Sequence, residues 1–316
     1  MSLETNIRHL LLPGCIYNAS GPRCTDIKEL LKLDKSESAL VLSKSATLEK
    51  REGNPKPRYF DHDLGSINSM GLPNEGINYY LFFAPTIKNK PYFISVNGLT
   101  LQDTLKILNG IIRNKNVTGI EINLSCPNII GKGQLAYDMT EMDTYLHTIF
   151  NTVEFSLHPT LLIGVKLPPY FDLHWYPMVT NILKKYPIHF ITCINSLGNG
   201  LLVDSVSESV VIKPKGGMGG IGGKYIKPIG LSNVRNFYLE FEKQNLKIDV
   251  IGCGGIETGL DIFEYILCGA KAVQIGTQYY KEGTKCFERL AQELLQIMEE
   301  KNYQKLEDFR GKLKTL

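Results

Sequence analysis

The chain has 316 residues, 43% of them hydrophobic and 21% charged, with a formal net charge of +3. These values are near the globular average and exclude a disordered chain or a fibre. The charges of both signs are interspersed and no apolar run reaches 18 residues, so neither a nucleic-acid face nor a membrane span is expected.

The first residues, Met1–Asn6, lack the basic and apolar stretches of a secretion signal, and none is expected. Seven cysteines stand at 15, 24, 126, 193, 253, 268 and 286. None is two or three residues from another, so a metal cradle is not expected. Free thiols in a reducing, cytoplasmic compartment are the simplest reading.

Short apolar runs rich in β-branched residues recur along the chain. They are Cys15–Gly21, Ala39–Ser45, Tyr92–Gly98, Gly119–Ser125, Leu161–Leu167, Ile188–Ser196, Ile248–Gly254 and Ala272–Thr277. Helical spacing of apolar residues falls between most of them. It marks Thr100–Arg113, Met139–Phe155, Pro177–Lys185, Thr258–Cys268 and Thr284–Glu300. Eight strands alternating with helices predict an α/β fold, a (β/α)8 TIM barrel formed by a single domain over residues 1–316.

Three connections are too long for bare turns: Ala46–Pro91, Cys126–Asp138 and Leu197–Leu231. All leave carboxyl ends of predicted strands. They are expected as long insertions at the face where barrel active sites form.

The strand ends offer Asn18-Ala19-Ser20-Gly21, Ser43-Lys44-Ser45, Asn97, Asn123, Lys166, Asn195-Ser196, Gly254-Gly255 and Gly276-Thr277. Taken singly, such residues are ordinary turn formers. Taken together, they form a rim of small, amide and cationic groups, almost without carboxylates, that suits a planar anionic ligand. Gly254-Gly255 and Gly276-Thr277 follow the last two strands, where barrels often hold phosphate; Gly219–Gly223 adds a further glycine-rich loop. Lys44 and Lys166 read either as solvated lysines at loop edges or as fixed cations facing an electron-rich ligand. Cys126, in Asn123-Leu124-Ser125-Cys126-Pro127-Asn128, reads either as a small packing residue or as an accessible thiol able to act as a base. Cys15, Cys193, Cys253 and Cys268 read as packing. The six histidines, at 9, 62, 147, 158, 174 and 189, form no recognisable triad or HExxH motif.

Several multi-residue motifs in one order resemble dihydroorotate dehydrogenase. These are Asn18–Gly21, Ser43–Ser45, GNPKPR at Gly53–Arg58, NSMGLPN at Asn68–Asn74, NLSCPN at Asn123–Asn128, Gly164–Lys166, Asn195-Ser196, Gly254-Gly255 and Gly276-Thr277. The resemblance runs from about residue 10 to the end. A cysteine at the base position, with the first strand beginning near Cys15, resembles the soluble class 1 rather than the membrane-bound class. The Asn68 and Gly53 motifs resemble class 1A, which is homodimeric and uses fumarate. Class 1B, with a partner subunit carrying FAD and an iron–sulfur cluster, stays open for a single chain.

The resemblance implies an enzyme of pyrimidine biosynthesis that binds FMN and oxidises dihydroorotate to orotate. FMN is then expected against Ala19, Ser20, Gly21, Lys44, Ser45, Asn123, Lys166 and Ser196. Its phosphate is expected at Gly254, Gly255, Gly276 and Thr277, with Gly222 and Gly223 adding contacts. Substrate is expected at Lys44, Asn68, Met70, Gly71, Leu72, Asn123, Asn128, Asn195 and Ser196. Cys126 is the expected general base, with Lys44 and Lys166 as catalytic cations, and Lys213 is expected near the ligand. Gly131 and Gly133 are expected to let the loop after Cys126 move. Two alternatives remain at this point: another FMN barrel such as a dihydrouridine synthase, and a flavin-free phosphate-binding barrel. No nucleic-acid partner is expected.

Overall fold

The computed structural model describes residues 1–63, 65–126 and 133–316. Eight parallel strands make the central sheet: β1 (Ile16–Asn18), β2 (Val41–Leu42), β3 (Tyr92–Val96), β4 (Gly119–Asn123), β5 (Leu162–Leu167), β6 (Phe190–Cys193), β7 (Asp249–Cys253) and β8 (Ala272–Ile275). Their order is β1-β8-β7-β6-β5-β4-β3-β2. All eight are predicted strands. The residues of β3 and β5 are buried throughout, as a sheet covered on both faces requires.

No ladder joins β1 to β2, and a side chain bridges the gap. Asn18 Nδ2 donates to Leu42 O at 2.7 Å, while Leu42 N donates to Asn18 Oδ1 at 3.0 Å. Ala39 N also donates to Ile16 O at 2.8 Å. The amide of Asn18 thus stands in for a residue's worth of main chain and draws the sheet almost closed.

Glycine at 119 and 164 makes room for neighbouring rings. A β-carbon on Gly119 would lie 2.6 Å from the Phe93 ring, and one on Gly164 would lie 2.2 Å from that of Phe190.

The helices are α1 (Ile27–Asp34), α2 (Ile77–Phe83), α3 (Leu101–Ile111), α4 (Met139–Thr152), α5 (Trp175–Leu183), α6 (Lys227–Lys243), α7 (Gly259–Cys268), α8 (Thr277–Glu282) and α9 (Lys285–Glu300). Capping boxes start α3 at Thr100/Asp103 and α7 at Thr258/Asp261; Gly269, at φ 119°, stops α7. In α9, Phe287, Leu290, Leu294 and Met298 form the buried stripe.

Two features depart from the sequence reading. The connection expected over Leu197–Leu231 ends where α6 begins, at Lys227. The glycine-rich stretch expected as a loop contains a strand, Met218–Gly222. This strand pairs antiparallel with Leu197–Leu201 and with Gly65–Asn68, which pairs in turn with Tyr59–His62. Two separate insertions therefore build one four-stranded sheet. A hairpin, Thr5–Ile7 and Leu10–Leu12, lies at the other end of the barrel, where Arg8 N donates to the Asp249 carboxylate at the start of β7.

Candidate active site

The predicted strands extend past the observed ones at most carboxyl ends, and the surplus residues are informative. Ala19–Gly21, Ser43–Ser45, Ile194–Ser196, Gly254 and Gly276-Thr277 lie beyond the observed strand ends there. Most of them line a cavity of about 510 Å³, within the usual range for small-molecule sites.

Apart from Lys213, every described residue expected at the ligand reaches this cavity. Ala19, Ser20, Gly21, Lys44, Ser45, Asn68, Met70, Gly71, Leu72, Asn123, Cys126, Lys166, Asn195, Ser196, Gly222, Gly223, Gly254, Gly255, Gly276 and Thr277 all line it. Asn128 and Gly131 lie outside the described residues. Lys213 is exposed and is not among the lining residues, contrary to expectation; its backbone N–H donates to Pro57 O at 2.7 Å.

The two lysines are not solvated loop residues. Lys44 is 8% exposed and Lys166 6%. Lys44 Nζ donates to Gly21 O at 3.0 Å. Burial pulls the Lys44 ammonium below the ordinary lysine value, with Cys24 and Cys126 opposing in part. Lys166 Nζ donates to Gln274 Oε1 at 2.6 Å and approaches Cys253 Sγ at 3.6 Å. Burial works against the Lys166 charge too, yet Cys253 and Glu121 outweigh it and hold Lys166 above the usual lysine range.

Amides and hydroxyls fix the walls. Asn195 Nδ2 donates to the carbonyl and the hydroxyl of Ser125, each at 3.0 Å. Ser125 N donates to Asn123 Oδ1 at 3.1 Å. Ser45 Oγ lies 3.1 Å from Ser20 Oγ and 2.9 Å from Ser95 Oγ. Asn68 Nδ2 donates to Gly220 O at 3.2 Å, between two paired strands of the four-stranded sheet. Gly71 and Leu72 have φ of 70° and 58°; for leucine this left-handed backbone is a strained choice next to a binding surface.

One end of the cavity is built for close approach to main chain. Gly255 has φ 68°, and a β-carbon there would sit 2.5 Å from Lys227 Cβ. A β-carbon on Gly222 would sit 3.2 Å from both Ser66 Oγ and Thr277 Oγ1, which are themselves 3.3 Å apart.

The family model described as dihydroorotate dehydrogenase matches residues 2–298. The chain belongs to the dihydroorotate dehydrogenase family. A relative from Kluyveromyces lactis named dihydroorotate dehydrogenase (fumarate) is 51% identical, over 100% of this chain and 99% of its own. One from Streptococcus pyogenes, provisionally named dihydroorotate dehydrogenase A (fumarate), is 48% identical over 99% of each chain. The solved structure of Eimeria tenella DHODH in complex with ferulenol superposes with a TM-score of 0.81 at 20% identity, over 98% of this chain and 88% of that one. The ligand-free Eimeria tenella DHODH gives 0.79 at the same identity. These two structures speak for the TIM-barrel fold alone. With full-length relatives that carry the dihydroorotate dehydrogenase name, neither a dihydrouridine synthase nor a flavin-free barrel is favoured.

Several lining residues of this family member escaped the sequence reading: Glu121, Gln274, Cys253, Ser66, Tyr59 and Tyr280. Cys253 is more than packing, since it meets Lys166; its thiol is raised by burial and stays protonated. A glutamate within the apolar run Gly119–Asn123 was the available signal for Glu121. Among the described residues no cluster suits a metal ion, no disulfide joins the cysteines, and no helix is long and apolar enough to cross a membrane.

Proposed function

We propose that this chain is a class 1A dihydroorotate dehydrogenase that oxidises (S)-dihydroorotate to orotate at a bound FMN and passes the electrons to fumarate, in pyrimidine biosynthesis. The observation that carries the reading is the convergence of Lys44, Lys166, four described amide or hydroxyl side chains (Asn68, Asn123, Asn195 and Ser196) and the Cys126 thiol on one cavity.

The residues suit FMN. The gap at Gly222, Ser66 and Thr277 closes if a β-carbon is added, as a phosphate cradle would. Gly254, Gly255, Gly276 and Gly223 add small lining positions beside it. Ala19, Ser20 and Gly21 present little bulk to a flat ring. Ser45, Asn123, Lys166 and Ser196 offer donors and a cation to its polar edge. When bound, FMN supplies the two-electron acceptor that takes hydride from C6 of dihydroorotate and returns it to fumarate.

The protein's own part is binding, orientation and proton transfer. Lys44, with Asn68, Asn123, Asn195 and Ser196, binds the pyrimidine, whose carbonyls and N–H groups need both donors and acceptors. The backbone around Met70, Gly71 and Leu72 receives the carboxylate. Asn128, expected in the same set, lies outside the described residues. Cys126 removes the C5 proton as C5=C6 forms, and a proton returns when fumarate becomes succinate. The cofactor domain is the single unit 1–316, acting as a cytoplasmic homodimer.

Purified protein is expected to be yellow, to bleach with dihydroorotate and to recolour with fumarate. A colourless protein that takes up no added FMN, or a yellow one that dihydroorotate leaves unchanged, would refute the reading. Light scattering after size exclusion tests the homodimer.

A further inference from the structure

Below Lys166 the barrel holds a buried carboxylate that the reaction above does not use. Glu121 is 1% exposed, in the middle of β4 between Ile120 and Ile122. Its Oε2 accepts from Thr192 Oγ1 and from Gln274 Nε2, both at 2.6 Å. Gln274 turns the other end of its amide to Lys166, accepting from Nζ at 2.6 Å. The order is therefore carboxylate, amide, ammonium, with Thr192 and Gln274 themselves buried. Glu121 Oε1 has no partner among the described residues, and Glu121 lines the cavity.

An ionised carboxylate is expensive inside an apolar strand unless a counter-charge accompanies it. The cation joined to Glu121 by this network is Lys166. Cys253 also touches Lys166, but burial raises its thiol above the ordinary value, so near neutral pH it adds no charge to the balance.

We propose that Glu121 is a positioning residue that fixes the charge of the cavity floor, acting through Gln274 on Lys166 and so on the redox equilibrium of the flavin. The inference rests on the FMN reading given above. With both groups ionised the floor is neutral overall, and Gln274 aims the ammonium from beneath. Without the carboxylate an uncompensated positive charge remains, which favours the reduced, anionic flavin. Without the ammonium an uncompensated negative charge remains, which disfavours it.

The test compares the FMN-loaded wild type with Glu121→Gln, Lys166→Gln and the double variant. Midpoint potentials are read from flavin absorbance against a reference dye. Glu121→Gln keeps an acceptor for Thr192 and Gln274, and is expected to shift the equilibrium about tenfold toward reduced flavin, or 29.6 mV for a two-electron couple. Lys166→Gln is expected to shift it about tenfold the other way, with the double variant within about threefold of wild type. A Glu121→Gln variant at the wild-type potential, or a double variant displaced as far as Lys166→Gln, overturns the role of Glu121. Where a single variant sheds flavin or folds poorly, urea unfolding of the flavin-free proteins carries the test. The double variant is expected to recover at least half of the midpoint lost in either single variant, and additive losses overturn the proposal. Wild-type protein that binds no FMN overturns both readings; loaded variants with unmoved potentials overturn only this one.

Discussion

The side-chain amide of Asn195 holds Ser125 by two hydrogen bonds of 3.0 Å, one to its carbonyl and one to its hydroxyl, across 70 residues of sequence. Ser125 directly precedes Cys126, so the end of β6 sets where the thiol's backbone begins. Replacing Asn195 by Ala removes both bonds. At about 1 kcal/mol each, the expected loss in kcat/KM is roughly tenfold to a hundredfold, with flavin content near wild type. Steady-state kinetics with dihydroorotate measures it.

Cys126 itself is expected to affect the oxidation of substrate and not the binding of cofactor. The Cys126→Ala variant should purify with FMN yet be reduced by dihydroorotate about 10²-fold or more slowly, the scale of general-base loss. Rapid-mixing absorbance follows this directly. Unchanged reduction would remove the thiol from the mechanism.

Lys44 gives the site an alkaline limit. Burial is the main cause of its lowered pKa, so the folded protein releases this proton before an unfolded chain would, below the ordinary value of 10.5. Between the two values the unfolded chain binds more protons, and stability attributable to this group rises with pH; the cost of burying the charge is present below that window. Binding of an anion has the opposite dependence, because it needs the ammonium. Orotate affinity is expected to fall with rising pH before the ordinary lysine value of 10.5 is reached, and Lys44→Met should flatten that limb while weakening binding at neutral pH. Flavin absorbance titrations with orotate report both.

Gly222 tests the cradle. Its φ of −131° suits any residue, so the obstacle to Gly222→Ala is space, 3.2 Å from each of two hydroxyls. The expected result is a loss of FMN affinity of about tenfold or more, near 1.4 kcal/mol, with a melting temperature of the flavin-free protein close to wild type. Fluorescence quenching on adding FMN to the flavin-free protein measures the first and calorimetry the second.

The strands of the barrel were readable because β-branched runs buried on both faces are distinctive, and Tyr92–Val96 and Leu162–Leu167 are plain examples. The α6 helix was missed because Pro228 and Gly230 resemble loop residues. Proline in the first turn is in fact a helix-start signal, and Val234, Phe237 and Phe241 supply the buried stripe. The strand Met218–Gly222 has little intrinsic β preference and exists through pairing with Gly65–Asn68, a tertiary effect. The site's rim was legible, since strand-end residues face the cavity once the barrel is inferred. Its floor was not. Glu121 and Gln274 lie 153 residues apart, and their contact depends on the way strands are staggered around the cylinder.

The bridge made by Asn18 gives the cylinder a hem sewn with one amide. Elsewhere, parting two strands means unzipping a ladder; here one side chain and the backbone bond from Ala39 to Ile16 must let go, beside the Ala19–Gly21 segment that borders the cavity. Local opening should therefore concentrate at this hem, with amide exchange at Ala39 and Leu42 outpacing that of β5 and β6, and faster still in Asn18→Ala. A barrel so fastened yields at one defined place, next to where ligands must enter, while the rest of the wall stays shut.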